Sequence, residues 1–243
     1  MAAATAFISD LHLDPGRPAI TGLFLDFLAG PARSCQTLYI LGDLFEAWVG
    51  DDDQSPTLQP VLDGLHACTA AGLPVFVMTG NRDFLIGDGF AARTGCRLLS
   101  DPTIIDLYGE PTLLMHGDTL CTDDREYQQF RQLVRDPAWQ REFLAKPLDE
   151  RRRMAAGLRE TSRQRIAHKP AQIMDVNGNA VLSALREHGV RRLIHGHTHR
   201  PATHEFDLDG AAATRIVLGD WYEQGSVLWC DPTGCRLQGL ALN

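Results

Sequence analysis

The stretch Ala4-Thr-Ala-Phe-Ile-Ser-Asp-Leu-His12 sets the pattern from which the rest of the chain is read. Its first six residues form a strand-length apolar run with β-branched and aromatic members. Asp10 and His12 follow at i, i+2 spacing, and in an extended segment two such side chains leave on the same side. The pattern then repeats. Residues 37–41 run into Gly42-Asp43, and residues 73–78 are soon followed by Gly80-Asn-Arg-Asp83. Residues 112–115 lead to His116-Gly-Asp118, and residues 192–195 lead into His195-Gly-His-Thr-His199. Between the early runs, Ile20, Leu23, Phe24, Phe27 and Leu28 share one helix face, as do Leu58, Val61, Leu62 and Leu65. This alternation predicts an α/β fold with a largely parallel sheet covered by helices. Further runs at 214–218 and 227–230, with turns at Asp209-Gly210 and between Pro232 and Gly234, predict a second sheet packed on the first.

The chain has 243 residues, enough for one large domain or one domain with an insertion. Hydrophobic residues make up 44% and charged residues 22%, which excludes disordered, collagen-like and coiled-coil classes. No apolar run approaches the roughly 18–20 residues of a spanning helix. The opening Met1-Ala-Ala-Ala-Thr5 lacks the basic start and apolar stretch of a signal peptide, so a cytoplasmic location is expected. The six cysteines include no Cys-x-x-Cys pair and are expected to be reduced and mostly buried.

Charge is unevenly spread. Residues 122–169 hold 12 basic and 8 acidic side chains, whereas the remainder holds 11 basic and 23 acidic ones. An acidic body argues against general nucleic-acid binding, and a local basic segment predicts one surface that meets an anion. The same segment has no strand-like run, with Pro137 and Pro147 as breaks. It carries Phe130, Leu133, Val134, Trp139, Phe143 and Leu144 among arginines, and reads as a helical insertion. Two readings stay open on composition alone: an ordinary helical layer, or a lid whose apolar face receives a greasy ligand.

Five polar motifs at strand ends converge where open α/β sheets form their sites. Their Asp, Asn and His donors suit Mn, Fe or Zn, and the set contains no thiolate. Asp43 has two carboxylate oxygens and can bridge two ions. Singly, each motif is weak, since Gly-Asp after a strand is often only a turn. Their joint occurrence is the signal.

The series Asp-x-His, Gly-Asp, Gly-Asn-x-Asp, His-Gly and Gly-His-x-His resembles the calcineurin-like metallophosphoesterases over residues 10–199. The resemblance implies two stacked mixed β-sheets flanked by helices, with two metals at the strand ends. It is closer still to the branch that hydrolyses UDP-2,3-diacylglucosamine in lipid A biosynthesis. Leu41-Gly-Asp-Leu-Phe-Glu-Ala-Trp-Val-Gly-Asp-Asp52, Gly80-Asn-Arg-Asp-Phe-Leu-Ile-Gly87, Leu114-Met-His-Gly-Asp-Thr-Leu-Cys-Thr-Asp-Asp124 and Ile173-Met-Asp-Val-Asn177 carry that likeness. Arg82 stands where many family members have His, as it does in this branch.

The resemblance implies two Mn²⁺ ions. Asp10, His12, Asp43 and His199 would hold one; Asp43, Asn81, His116 and His197 would hold the other. Asp43, Asn81, Arg82 and His116 would form the catalytic group. Asn81, Arg82, Asp124, Ser162, Lys169 and His197 would touch the substrate head group, and His195 would support the site. The branch usually has Asn where this chain has Ile166, so one polar contact is lost there or supplied by Gln164 or Arg165. The implied organisation is a core of residues 1–121 and 170–243 with a lipid-binding cap at 122–169. The implied partners are the UDP-2,3-diacylglucosamine lipid and the cytoplasmic face of the inner membrane, contacted peripherally, with no nucleic acid and no obligatory protein partner. Rival expectations are a phosphoesterase of the same fold acting on nucleotides, a nuclease, and a non-catalytic scaffold. The scaffold predicts eroded ligand positions, and here each one is filled.

Overall fold

The computed structural model describes residues 4–166 and 173–242. Eleven strands form two mixed sheets among these residues. β1 (Thr5–Ile8), β2 (Thr37–Leu41), β3 (Val75–Met78) and β4 (Arg97–Leu99) run parallel, and β10 (Gly225–Asp231) and β11 (Gly234–Leu240) complete the first sheet antiparallel beside β1. The second sheet has the order β5-β6-β7-β9-β8. It comprises β5 (Thr103–Leu107), β6 (Glu110–Met115), β7 (Arg192–His195), β8 (Ala202–Leu208) and β9 (Ala211–Val217), with β6, β7 and β9 parallel.

Helices α1 (Pro18–Ala29), α2 (Gln59–Ala70) and α3 (Asp88–Thr94) cover the first sheet, and α7 (Gly178–His188) covers the second. Strand alternation builds the layers. In β1, Ala6 and Ile8 enter the core under α1 and α2, while Phe7 enters the core between the sheets with Leu41, Met78, Leu114 and Ile194. In β7, Leu193 faces α7 while its neighbour Ile194 joins the inter-sheet core. The helix faces read from spacing are the buried ones: Ile20, Phe24, Phe27 and Leu28 on α1, and Val61, Leu62 and Leu65 on α2.

Three helices, α4 (Arg125–Arg135), α5 (Pro137–Leu144) and α6 (Leu148–Ile166), fill most of the basic segment. Asp124 caps α4 by accepting the N–H of Tyr127, and Asp136 caps α5 by accepting those of Ala138 and Trp139. The apolar residues of the segment divide. Phe143 is buried in the main core and Trp139 packs against it, whereas Leu133 and Leu144 are exposed. α6 is fastened by Arg151, whose guanidinium donates to Val49 O at 2.6 Å and to Asp52.

Two sequence expectations are corrected. The last third does not all enter the second sheet: β10 and β11 join the first, because β10 pairs with β1. The cysteines are not all reduced. Cys230 and Cys235 face each other in the β10–β11 register and are joined by a disulfide; Cys35, Cys68, Cys96 and Cys121 are free.

Candidate metal centre

The strand ends carry their polar residues to one place because β1, β2 and β3 lie side by side in one sheet, and β6 and β7 side by side in the other. All five strands are parallel to their neighbours in this set, so their carboxyl ends point the same way in each sheet. The loops that follow are sharply bent. Asp10, His12, Asp43, His197 and His199 all have positive φ, between 47° and 67°, a left-handed conformation uncommon outside glycine. Gly42, with φ 92°, turns the β2 loop where a Cβ would come within 2.4 Å of His116 Nδ1.

All seven residues implied as metal ligands come together, in two donor sets with Asp43 between them. In the first, Asp10 Oδ1 lies 3.3 Å from His199 Nε2 and 4.0 Å from His12 Nε2, and the two imidazole nitrogens are 3.3 Å apart. In the second, Asn81 Oδ1 lies 3.0 Å from His116 Nε2 and 2.8 Å from His197 Nδ1. Asp43 stands between them, with Oδ2 3.7 Å from His12 Nε2 and Oδ1 3.8 Å from His116 Nε2.

The surroundings orient these donors. Asp10 Oδ2 accepts from Ser9 Oγ at 2.5 Å and from the His197 N–H at 2.9 Å. His116 Nδ1 lies 2.9 Å from Leu41 O, which turns Nε2 toward Asp43. Glu46 Oε2 sits 3.1 Å from His12 Nδ1, and Asp220 Oδ2 sits 3.1 Å from His199 Nδ1. A carboxylate or carbonyl behind the far ring nitrogen is the arrangement that metal-binding histidines use. Asp83 ties the loops together: its carboxylate accepts the N–H groups of Gly80 at 2.7 Å and Leu44 at 2.8 Å, with those of Asp43 and Phe45 farther off.

Electrostatics follow from crowding acids and imidazoles out of water. Burial opposes a charge on His116, yet Asp43, Asp118 and Asp10 outweigh it and push its pKa up to about 9. His199 is likewise carried to about 10, against burial, by Asp10 and Asp220. His197 is pushed down to about 4 by burial and by the nearby His116. Burial and the Asp43 carboxylate raise Asp83 to about 6. The residues present fit a pair of divalent cations. Buried Asp10 Oδ1 makes no hydrogen bond of acceptable geometry, although two imidazole nitrogens stand within 4.0 Å. The donors are oxygen and imidazole nitrogen throughout.

The other sequence-derived candidates fall around this centre or away from it. Arg82 is mostly buried beside Glu46, its backbone N–H bonds Asp43 Oδ1, and its Nε is buried without a partner. Asp124 serves as the α4 cap, Ser162 is half-buried on α6, and Lys169 lies outside the described residues. His195 is fully buried, with Nδ1 2.8 Å from Gly196 O, and burial lowers its pKa to about 3. Glu46, Asp83 and Asp220 were not among the sequence candidates. Glu46 and Asp83 sit inside the motifs quoted above, whereas nothing in the sequence around Asp220 points to His199.

Residues 4–201 match the family model described as calcineurin-like phosphoesterase, and the chain belongs to that family. It is 55% identical to the UDP-2,3-diacylglucosamine hydrolase of Xanthomonas oryzae pv. oryzae, over 98% of this chain and 99% of that one. It is 54% identical to the UDP-2,3-diacylglucosamine hydrolase of Stenotrophomonas maltophilia, with 98% of each chain covered. Among solved structures, a hypothetical protein from Pyrococcus horikoshii shares the fold, with a TM-score of 0.51 at 10% identity, covering 99% of this chain and 89% of that one.

Proposed function

We propose that this chain hydrolyses the pyrophosphate bond of UDP-2,3-diacylglucosamine, giving UMP and 2,3-diacylglucosamine 1-phosphate. The observation that carries the reading is Asp43 set between two donor groups, in a chain 55% identical along its length to enzymes bearing that name. Asp10, His12, Asp43 and His199 would hold one Mn²⁺, and Asp43, Asn81, His116 and His197 the other. When bound, such a pair supplies positive charge for phosphate oxygens and water acidic enough to react near neutral pH.

The chain's own residues do the rest. Water attacks the α-phosphorus, and the bond to the bridging oxygen breaks with the sugar 1-phosphate as leaving group. Arg82 offers a planar fork of donors to the diphosphate oxygens from a side chain that remains 21% exposed. Losing such a donor typically costs about 2.7–4 kcal/mol of barrier stabilisation. Asn81 and His197 meet the head group from the second donor set, with Asp124, Ser162 and Lys169 as further contacts. His195, neutral and buried, supports the His197 loop.

The segment at 122–169 acts as the lipid-binding cap, where each buried CH₂ of an acyl chain contributes about 0.8 kcal/mol. Exposed Leu133, Leu144 and Leu158, among the segment's arginines, support peripheral contact with the cytoplasmic face of the inner membrane. Among the described residues no helix is long and apolar enough to cross a membrane.

The test is UMP release from UDP-2,3-diacylglucosamine with Mn²⁺, beside UDP-N-acetylglucosamine. The expected result is turnover of the lipid substrate alone, abolished by Asp43→Ala. Equal turnover of both substrates, or of an unrelated phosphodiester only, overturns the assignment.

A further inference from the structure

We infer that Asp118 is a positioning residue that makes α4 a wall of the second donor set, so that the seating of this helix and the hold on a metal by Asn81, His116 and His197 are linked. The inference rests on the dimetal reading above and adds to it a residue outside both donor sets, through which a helix of the cap segment is tied to the second.

Asp118 lies two residues beyond His116 in a single 3-10 turn, and it is fully buried. Its Oδ2 accepts from Tyr127 Oη at 2.6 Å and from Arg131 Nε at 2.7 Å. Its main-chain oxygen accepts from Gln128 Nε2 at 2.8 Å, and the same amide reaches Cys121 O at 3.1 Å. One acidic residue thus takes three side chains from the first two turns of α4. Buried carboxylates are costly unless they are hydrogen-bonded; here both donors to Oδ2 come from the inserted segment, while Oδ1 is buried without a partner.

The other ends of the clamp reach the donor set. The Tyr127 ring, held by its hydroxyl on Asp118, lies 5.8 Å from the His197 ring at 31°. His197 presents Nδ1 to Asn81 Oδ1 at 2.8 Å. Residues 127, 131 and 135 follow at four-residue spacing and so share one face of α4. At the third position, Arg135 Nη2 donates to Gly80 O at 2.8 Å and Nη1 to Thr79 Oγ1 at 3.2 Å, and its guanidinium lies over the Phe84 ring. This stripe therefore touches the loop that carries Asn81, the loop that carries His116, and the ring of His197. Among the described residues no hydrogen bond, ion pair or ring contact links Asp10, His12 or His199 to α4. Partners that orient metal ligands typically change metal affinity 10–100-fold when removed, and coupling of this kind is reciprocal.

The experiment titrates the metal-free full chain with Mn²⁺ and follows the ions bound, the spin-coupled dimanganese signal, and hydrogen exchange in 125–135. The variants are Tyr127→Phe and Arg131→Met, which keep shape but break the bonds to Asp118; Gln132→Ala, exposed on the same helix, is the control. The expected result is a second Mn²⁺ held 10–100-fold more weakly in both variants, with the first ion and the control unchanged. In the wild type, the second ion should slow exchange in 125–135, and Arg131→Met should remove most of that protection. Two ions held with wild-type affinity in both variants overturn the inference while leaving the dimetal reading intact. So does an equal weakening of both ions together with a lowered Tm, which is the mark of a merely structural anchor. A wild-type chain that takes up fewer than two ions sinks the dimetal reading, and this inference with it.

Discussion

Gly80→Ala tests the geometry of the candidate centre with a single methyl group. A Cβ at this position would stand 2.1 Å from Asp43 Oδ1, 2.4 Å from Asp43 N and 2.8 Å from Asp43 Cγ, where ordinary contact begins near 3.4 Å. The overlap exceeds 1 Å, and neither partner is free to yield. The Gly80 N–H is held by Asp83 and its carbonyl by Arg135, while Asp43 is held by Asp83 and by the Arg82 N–H. The methyl must therefore displace the Asp43 carboxylate, which stands between the two donor sets, by something on the order of 1 Å. A misplacement of that size costs about 100-fold in turnover, or about 2.7 kcal/mol of barrier. Overpacking adds about 1–3 kcal/mol of lost stability. The assay pairs hydrolysis of UDP-2,3-diacylglucosamine with Mn²⁺ stoichiometry and a denaturant melt. Gly189→Ala is the control: it has φ 65° and no atom within 4 Å of the added carbon. It should lose about 1–2 kcal/mol of stability through the left-handed backbone alone and bind metal normally. If Gly80→Ala retains two tightly bound ions and turnover within threefold of wild type, the reasoning that Asp43 is fixed by its packing is wrong.

Asp83→Ala should leave the N–H groups of Gly80 and Leu44 buried without their acceptor, at about 1–3 kcal/mol each; a fall in unfolding free energy below 1 kcal/mol would show that the loops do not depend on it. Arg151→Met should cost about 2–3 kcal/mol, since Val49 O loses a charged donor. The bond from Arg151 holds the Asp52 carboxyl below its usual range, against a small opposing effect of burial. That share of the stability is full above the unfolded value near 4 and fades as pH falls through the folded value, so the gap between wild type and variant in denaturant midpoint should narrow in acid. Reduction of the Cys230–Cys235 disulfide should lower stability by about 2 kcal/mol, the value for a short closed loop; an unchanged melt under reductant would count against that crosslink.

The five strands that carry the candidate ligands were legible because each is a run of mostly buried apolar residues ending in a polar motif, as in Thr37–Leu41 before Gly42-Asp43. The strands that went unread are β4, β5, β8 and β11. Along β11 exposed and half-buried residues alternate, and β8 is exposed over most of its length. Edge strands of this kind carry little of the apolar signal that marks a buried one. The membership of β10 in the first sheet is a long-range pairing with β1, which no local pattern encodes. In the site, residue types and spacing pointed to the five motifs and, within them, to Asp10, His12, Asp43, His197 and His199; the family resemblance added Asn81 and His116. The supports were less visible: Asp220 meets His199 only because the chain beyond β9 folds back, and Asp118 meets α4 through contacts 9 and 13 residues away. For the segment at 122–169, composition left open whether its apolar residues face core or ligand. Phe143 went to the core, because α5 stacks it on Trp139, which in turn packs beside Phe84.

Five residues of the candidate centre hold a left-handed backbone, at a cost of order 1 kcal/mol or more apiece. In the language of energy landscapes, the strand ends are an island of local frustration in a fold whose layers otherwise agree with their sequence. Selection for stability alone would relax that island with glycine, which occupies such backbone without penalty. At Asp43 the same change would remove the carboxylate between the two donor sets. On the proposed function, stability and activity thus pull in opposite directions at identical positions, and a stabilising screen run without an activity filter would be drawn first to the candidate ligands.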